Sequence, residues 1–279
     1  MDFQKINNRW IYELTLTVFL RNIVTYIIIS FLIASLGIGQ ALIPFIGLIT
    51  IPITFYLGTV SFVVAHKTIL QDAVISPGEA FEITPLNKTY FWQYLFVAII
   101  PAGIIIFGIL GLIFTENENL NVDLAAIAIF ATAIVSYYFM MAFFGTSLVA
   151  TALEADGMMM VSRGRVTFFY SLSRLVILPT LALAAIIAGV YYGFIVGRDW
   201  TLLDFAFLLS GNAGDAVLTV FAFLTGLQLT VLLLNLITAV VITKAFLLAE
   251  VRLALNGQPT EWAKRSFGIS DRARGVVFK

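Results

Sequence analysis

Six stretches of this chain run for roughly twenty residues or more with almost no charge, at about 22–42, 45–65, 90–114, 124–150, 175–197 and 217–243. A helix rises about 1.5 Å per residue, so each can cross the roughly 30 Å hydrocarbon core of a bilayer. Lipid offers backbone amides and carbonyls no hydrogen bond, and a helix satisfies them internally. The expectation is an all-α polytopic membrane protein, with six transmembrane helices as three helical hairpins and interfacial segments on the cytoplasmic side. One transmembrane domain then covers residues 1–279, with a cytoplasmic tail at 249–279. Composition agrees, since 61% of the 279 residues are hydrophobic and 11% charged, against roughly 25% charged in an ordinary soluble domain.

Orientation follows from Lys and Arg, which are retained on the cytoplasmic side of span ends. Lys5, Arg9 and Arg21 precede the first span, Lys67 and Lys88 follow the second, and Arg163, Arg165 and Arg174 follow the fourth. Lys244, Arg252, Lys264, Arg265, Arg272, Arg274 and Lys279 follow the sixth, leaving Arg198 alone on the opposite side. Both termini are expected in the cytoplasm, in the cytoplasmic membrane of a bacterium. Asp2, Lys5, Arg9, Glu13 and Arg21 are spread before the first apolar run, unlike a cleaved signal, so that span should be retained.

Local signals place helix ends. Gly37, Gly39 and Pro44 are expected to stop the first span and start the second in a tight antiparallel hairpin. Ser76, Pro77 and Glu79 stand as N-cap, first-turn proline and capping-box acid, and Thr84 and Pro85 repeat the cap and proline. Pro52, Pro101 and Pro179 fall inside spans, where a bundle tolerates the bend. Thr201 and Asp204 suggest a short helix in the outer interface, anchored by Trp200. "FWQYLFVAIIP" from Phe91 to Pro101 parallels "FYSLSRLVILP" from Phe169 to Pro179, so either a hairpin plus a cytoplasmic segment recurs three times or the compositions coincide.

The stretch "ALEADGMMMVSRGRVTFF" links an apolar span, a glycine stop, a short basic segment with Arg-Gly and an aromatic entry to the next span. In this it resembles the membrane domain associated with bacterial glycerophosphodiester phosphodiesterases, and related stand-alone six-span bacterial membrane proteins of unknown function. The specific residues lie between Glu154 and Arg174, and Ser162-Arg163-Gly164-Arg165 departs from the usual order of that family's motif. The resemblance implies the layout but no chemistry, because hydrolysis there belongs to a separate soluble domain.

Candidate sites are few. The absence of Cys excludes thiolate metal sites and cysteine nucleophiles, and the single His, His66, argues against a histidine metal cage. No metal ligand set and no cofactor motif is expected. Glu154 and Asp156 are candidates for an acid pair or a cation site, although carboxylates two apart on a helix diverge and converge only if Gly157 ends it. Arg163, Arg165 and Arg174 are placed to touch anionic lipid headgroups. Thr225, Gln228, Asn235 and Thr238 form a neutral polar stripe in the sixth span, read either as a polar path or as interhelical hydrogen bonding. Ala185, Gly189, Gly193 and Gly197 recur every four residues as a helix-packing ridge, facing a helix of this chain or of a second copy. His66, Lys67 and Lys244 are expected to close their spans within snorkelling reach of the surface, leaving no ionisable group deep in the membrane.

The function expected is that of a non-enzymatic lipid-contacting scaffold or accessory subunit. The alternatives are a transporter or channel for a small or amphiphilic molecule along the Gln228 and Asn235 face, and a lipid-modifying enzyme using Glu154, Asp156 and the arginines. The partners implied are membrane lipids, and a second copy or another membrane protein, rather than nucleic acid.

Overall fold

The structure is a computed structural model, and it describes residues 9–42, 47–114, 122–152, 165–190 and 213–255. Its helices are α1 (Ile11–Arg21), α2 (Ile23–Leu42), α3 (Gly47–Gln71), α4 (Pro77–Phe81), α5 (Pro85–Phe114), α6 (Val122–Ala152), α7 (Arg165–Val190) and α8 (Ala213–Leu255). No strand occurs among the described residues. Five helices are long and apolar enough to cross a membrane, and a sixth crossing is present if the pair α1 and α2, bent by 82°, is one span.

Helix ends differ from the hydropathy windows in an informative way. The second, fifth and sixth apolar segments lie at Ile49–Gln71, Thr167–Ile186 and Leu224–Glu250, so His66, Lys67, Arg174 and Lys244 fall inside helices they were expected to border. A window ends at a charge, whereas a helix ends where backbone bonding fails. "AFLLAEVRLAL" after Lys244 contains no Gly or Pro, so α8 continues to Leu255 and residues 249–255 are helical. Gly37 and Gly39 likewise lie within α2, which runs to Leu42, and do not end it. Pro44 and the outer segment with Trp200, Thr201 and Asp204 lie outside the described residues. Pro52, Pro101 and Pro179 sit inside α3, α5 and α7.

The described residues divide into two compact units. The first combines Asn8–Glu82 with Ile177–Val240, and its organising residue is Asn22 at the break between α1 and α2. Asn22 is only 3% exposed. Its side-chain amide donates to the Val18 carbonyl (3.0 Å) and to Thr68 Oγ1 on α3 (2.9 Å), and its carbonyl oxygen accepts from the Ile75 amide (2.9 Å). Thr25 Oγ1 donates to the Ile75 carbonyl (3.1 Å). Arg21 donates to the Asp72 carboxylate and to the Asp72 carbonyl (3.1 Å). Asp72 adopts a left-handed φ of 55° just after α3, a conformation that Asp tolerates better than most residues. Tyr26 donates to the Ser61 carbonyl (3.4 Å), so α2 and α3 run in opposite directions past each other.

The expected capping box forms at α4. The Ser76 amide and hydroxyl donate to Glu79 Oε2 (3.0 and 2.9 Å), and the Glu79 amide donates back to Ser76 Oγ (3.4 Å). The bonds from the Ser76 backbone, then its hydroxyl, then the nearby Lys67 charge hold the exposed Glu79 carboxyl below its ordinary range, against desolvation.

The second unit combines Ile83–Val176 with Val241–Lys279. Thr84 caps α5 as expected, its hydroxyl accepting from the Asn87 amide (3.1 Å). Contacts of α5 with α6 pair Gln93 with Thr151, Phe96 with Phe144 and Gly108 with Ile129, so these helices also run in opposite directions. A Cβ added at Gly145 on α6 would meet the Ile242 side chain of α8 at 2.9 Å, so the missing side chain is what admits this approach.

Truncating Asn22 to Ala leaves the Ile75 amide and the Val18 carbonyl without that partner, at a cost of about 1–3 kcal/mol. Asn22→Ala should therefore lower the unfolding midpoint in detergent more than Arg21→Ala, whose half-exposed ion pair is worth about 0.2–1 kcal/mol; equal losses would remove Asn22 from its central position. Because the folded carboxyl titration of Glu79 is depressed, its bonds contribute stability above the unfolded carboxylate range, and that contribution is lost as pH falls through the folded value. Carbon NMR of the Glu79 carboxyl should show a midpoint below that of free glutamate, moved upward by Ser76→Ala.

Candidate functional site

Glu154, Asp156, Arg163, Gly193 and Gly197 lie outside the described residues. Arg165 is the first residue of α7 and Gly189 lies near its end. Arg174 rests on its own helix: its guanidinium carbon is 3.8 Å from the Tyr170 ring centroid, and Nη1 donates to the Tyr170 carbonyl (3.3 Å) and to Ser173 Oγ (3.4 Å). A charge so held does not interrupt an apolar helix, which is why α7 runs through it. Ala185, the first member of the small-residue ridge, is exposed. Among the described glycines, close approaches occur at Gly108 and Gly145.

The polar stripe of α8 is only partly turned outward. Thr225 and Thr238 donate to the carbonyls of Phe221 (2.8 Å) and Leu234 (3.1 Å), each four residues back on the same helix. Such back-bonding satisfies a threonine in an apolar setting without any partner helix. Gln228 and Asn235 are half-buried, and Thr238 is buried.

The second unit also buries polar side chains on α5, α6 and α8. Thr151 Oγ1 on α6 donates to Gln93 Oε1 on α5 (2.7 Å), with both residues buried. The hydroxyls of Tyr94 and Tyr137 are hydrogen-bonded at 3.2 Å, and Tyr90 is buried nearby on α5. On α8, Lys244 is 8% exposed and Glu250 is 1% exposed. Lys244 is therefore enclosed by protein rather than extended to a surface, and Glu250 is buried as the last residue of the apolar segment Leu224–Glu250. In the first unit, His66 is fully enclosed, its ring 6.3 Å from that of Phe62, and does not reach a surface.

None of Gln93, Thr151, Tyr94, Tyr137 or Glu250 stands out in the sequence. Gln93, Tyr90 and Tyr94 read as an interfacial entry, Tyr137 as part of the fourth apolar span, and Glu250 as part of a tail. The available signal was the single carboxylate in "AFLLAEVRLAL", an isolated acid in an uninterrupted helical run. Chemically the set offers neutral donors and acceptors, one ammonium and one carboxylate. Among the described residues no three His, Cys, Asp or Glu side chains gather as a metal site.

The Gln93–Thr151 bond is testable by a double-mutant cycle of Gln93→Leu and Thr151→Val. Each single change should destabilise, and the pair should couple by about 0.6–1.7 kcal/mol, the range for hydrogen bonds between membrane helices; additive losses would mean that the bond contributes nothing. No protein-family profile matches the chain, and comparison with curated proteins and with solved structures finds no match.

Proposed function

We propose that this chain is a non-enzymatic integral membrane protein that acts by contact, as a lipid-binding scaffold or accessory subunit. The observation that carries this reading is the segregation of the side chains. Long apolar residues stand exposed along the spans, among them Ile99, Phe107, Val135, Ile177 and Leu181, while Gln93, Thr151, Lys244 and Glu250 are turned inward. Exposed apolar surface on this scale needs a hydrocarbon surround or a partner. In the proposed arrangement the six spans form three hairpins in a bacterial cytoplasmic membrane, with both termini inside. Arg163, Arg165 and Arg174 then meet anionic headgroups, each contributing about 1 kcal/mol near the surface. The resemblance carried by Glu154 to Arg174 supports this reading, since it points to a layout whose chemistry resides elsewhere.

A second reading, a transporter or channel for a small or amphiphilic molecule, is favoured by one observation. Lys244 and Glu250 are buried within an apolar span, where an ionisable group is by default a functional candidate.

Native mass spectrometry of the gently extracted chain separates the readings. A scaffold should emerge with bound phospholipid and with a second copy or another membrane protein, and Glu250→Gln should leave both unchanged. Release as a bare monomer would overturn the proposal. Solute flux into vesicles, abolished by Glu250→Gln, would favour the transporter.

A further inference from the structure

The sharp break between α1 and α2 leaves α1 with two unlike faces. Leu14, Thr15 and Val18 are buried in the first unit, whereas Trp10 is 79% exposed and Leu16 and Leu20 are each more than half exposed. We propose that α1 is an interfacial helix, with its Trp10, Leu16 and Leu20 face sunk into the boundary between headgroups and acyl chains of the membrane that α2 crosses. This rests on the membrane reading above.

Three features specify lipid as the occupant. The first is direction. The axes of α1 and α2 differ by 82°, so an α2 that crosses the bilayer lays α1 nearly in the membrane plane. Both ends of α1 are tied there: Arg21 and Asn22 bond to Asp72, Thr68 and Ile75, and the Tyr12 hydroxyl donates to the Leu178 carbonyl of α7 (2.9 Å). The second is continuity. Leu16, Leu20, Ile23, Val24 and Ile27 are all exposed and no two successive members are more than four residues apart, so the apolar surface of α2 continues around the bend onto α1. The medium that covers one therefore covers the other. The third is that the charges are paired: Glu13 is exposed on the same side as Leu16 and Leu20 but pairs with Arg9 (3.6 Å), and Arg21 pairs with Asp72, so α1 presents no surplus charge to recruit a charged protein. A helix of this kind, amphipathic and lying flat, buries its apolar face about 5–10 Å into the interface.

The chain contains no Cys, so single cysteines can be introduced and labelled with a nitroxide in the otherwise native protein. Leu16→Cys and Leu20→Cys report on α1, and Ile23→Cys and Ile27→Cys on α2. All four positions are exposed and outside the core, so labelling should not disturb packing. Depth is read in phosphatidylcholine–phosphatidylglycerol vesicles from accessibility to oxygen and to a water-soluble nickel chelate. Four helical residues rise about 6 Å, so Ile23 and Ile27 should differ in depth by nearly that amount. Leu16 and Leu20 should lie at one depth within about 1 Å, below the phosphates and shielded from nickel. Full nickel access at both α1 positions, or a depth step of about 6 Å between them, would overturn the inference. So would low access to both reagents with spin–spin broadening, which would place a second copy on this face. Nickel access at Ile23 and Ile27 would instead refute the membrane reading itself, a separate result.

Discussion

The buried side chain of Asn22 is the point on which the first unit turns. The chain changes direction by 82° around Asn22, while the Asn22 backbone keeps its helical bonds, its amide donating to the Val18 and Phe19 carbonyls (3.3 and 3.2 Å) and its carbonyl accepting from the Tyr26 amide (3.1 Å). What the Asn22 side-chain amide adds is a tie between this bend and the end of α3. Its NH₂ takes the Val18 carbonyl near the end of α1 and the Thr68 hydroxyl on α3, while its oxygen takes the Ile75 amide beyond α3. Asp and Leu are similar in size to Asn, but neither supplies both donor and acceptor in that position. Replacing one polar group by another of the same size would thus leave at least one partner without its bond.

The second unit handles polarity by distributing it. Its side-chain hydrogen bonds between α5 and α6 are separate pairs, Gln93 with Thr151 and Tyr94 with Tyr137, set between helices that also pack aromatic rings, as Phe96 does against Phe144. Close helix approach in this unit comes at single glycines, Gly108 against Ile129 and Gly145 against Ile242. Threonines along α8 bond to their own helix, so a row of them is compatible with a dry interior and is weak evidence for a path.

Features that depend on neighbours in sequence were legible before the fold was known. The capping box of Ser76 and Glu79, and the start of α5 at Thr84 and Pro85, involve groups within three residues of one another, and both appear where expected. Errors arose where a local rule stood in for packing. Gly37 and Gly39 lie within α2, because glycine permits a helix end without requiring one. Lys244 reads as a border by charge alone, yet α8 continues because the residues after it favour helix and its own side chain is enclosed by protein.

The sequence by itself determined that the chain is helical and apolar enough for several membrane crossings. Those properties follow from the length and polarity of continuous segments, and they need no knowledge of what packs where. Only the tertiary structure decided which polar residues matter. Asn22, Thr68 and Ile75 are separated by as many as 53 positions, and Gln93 and Thr151 by 58. The worth of a buried polar group lies in the partner that replaces water, and for these residues that partner is brought close by the packing of helices rather than by the order of the chain.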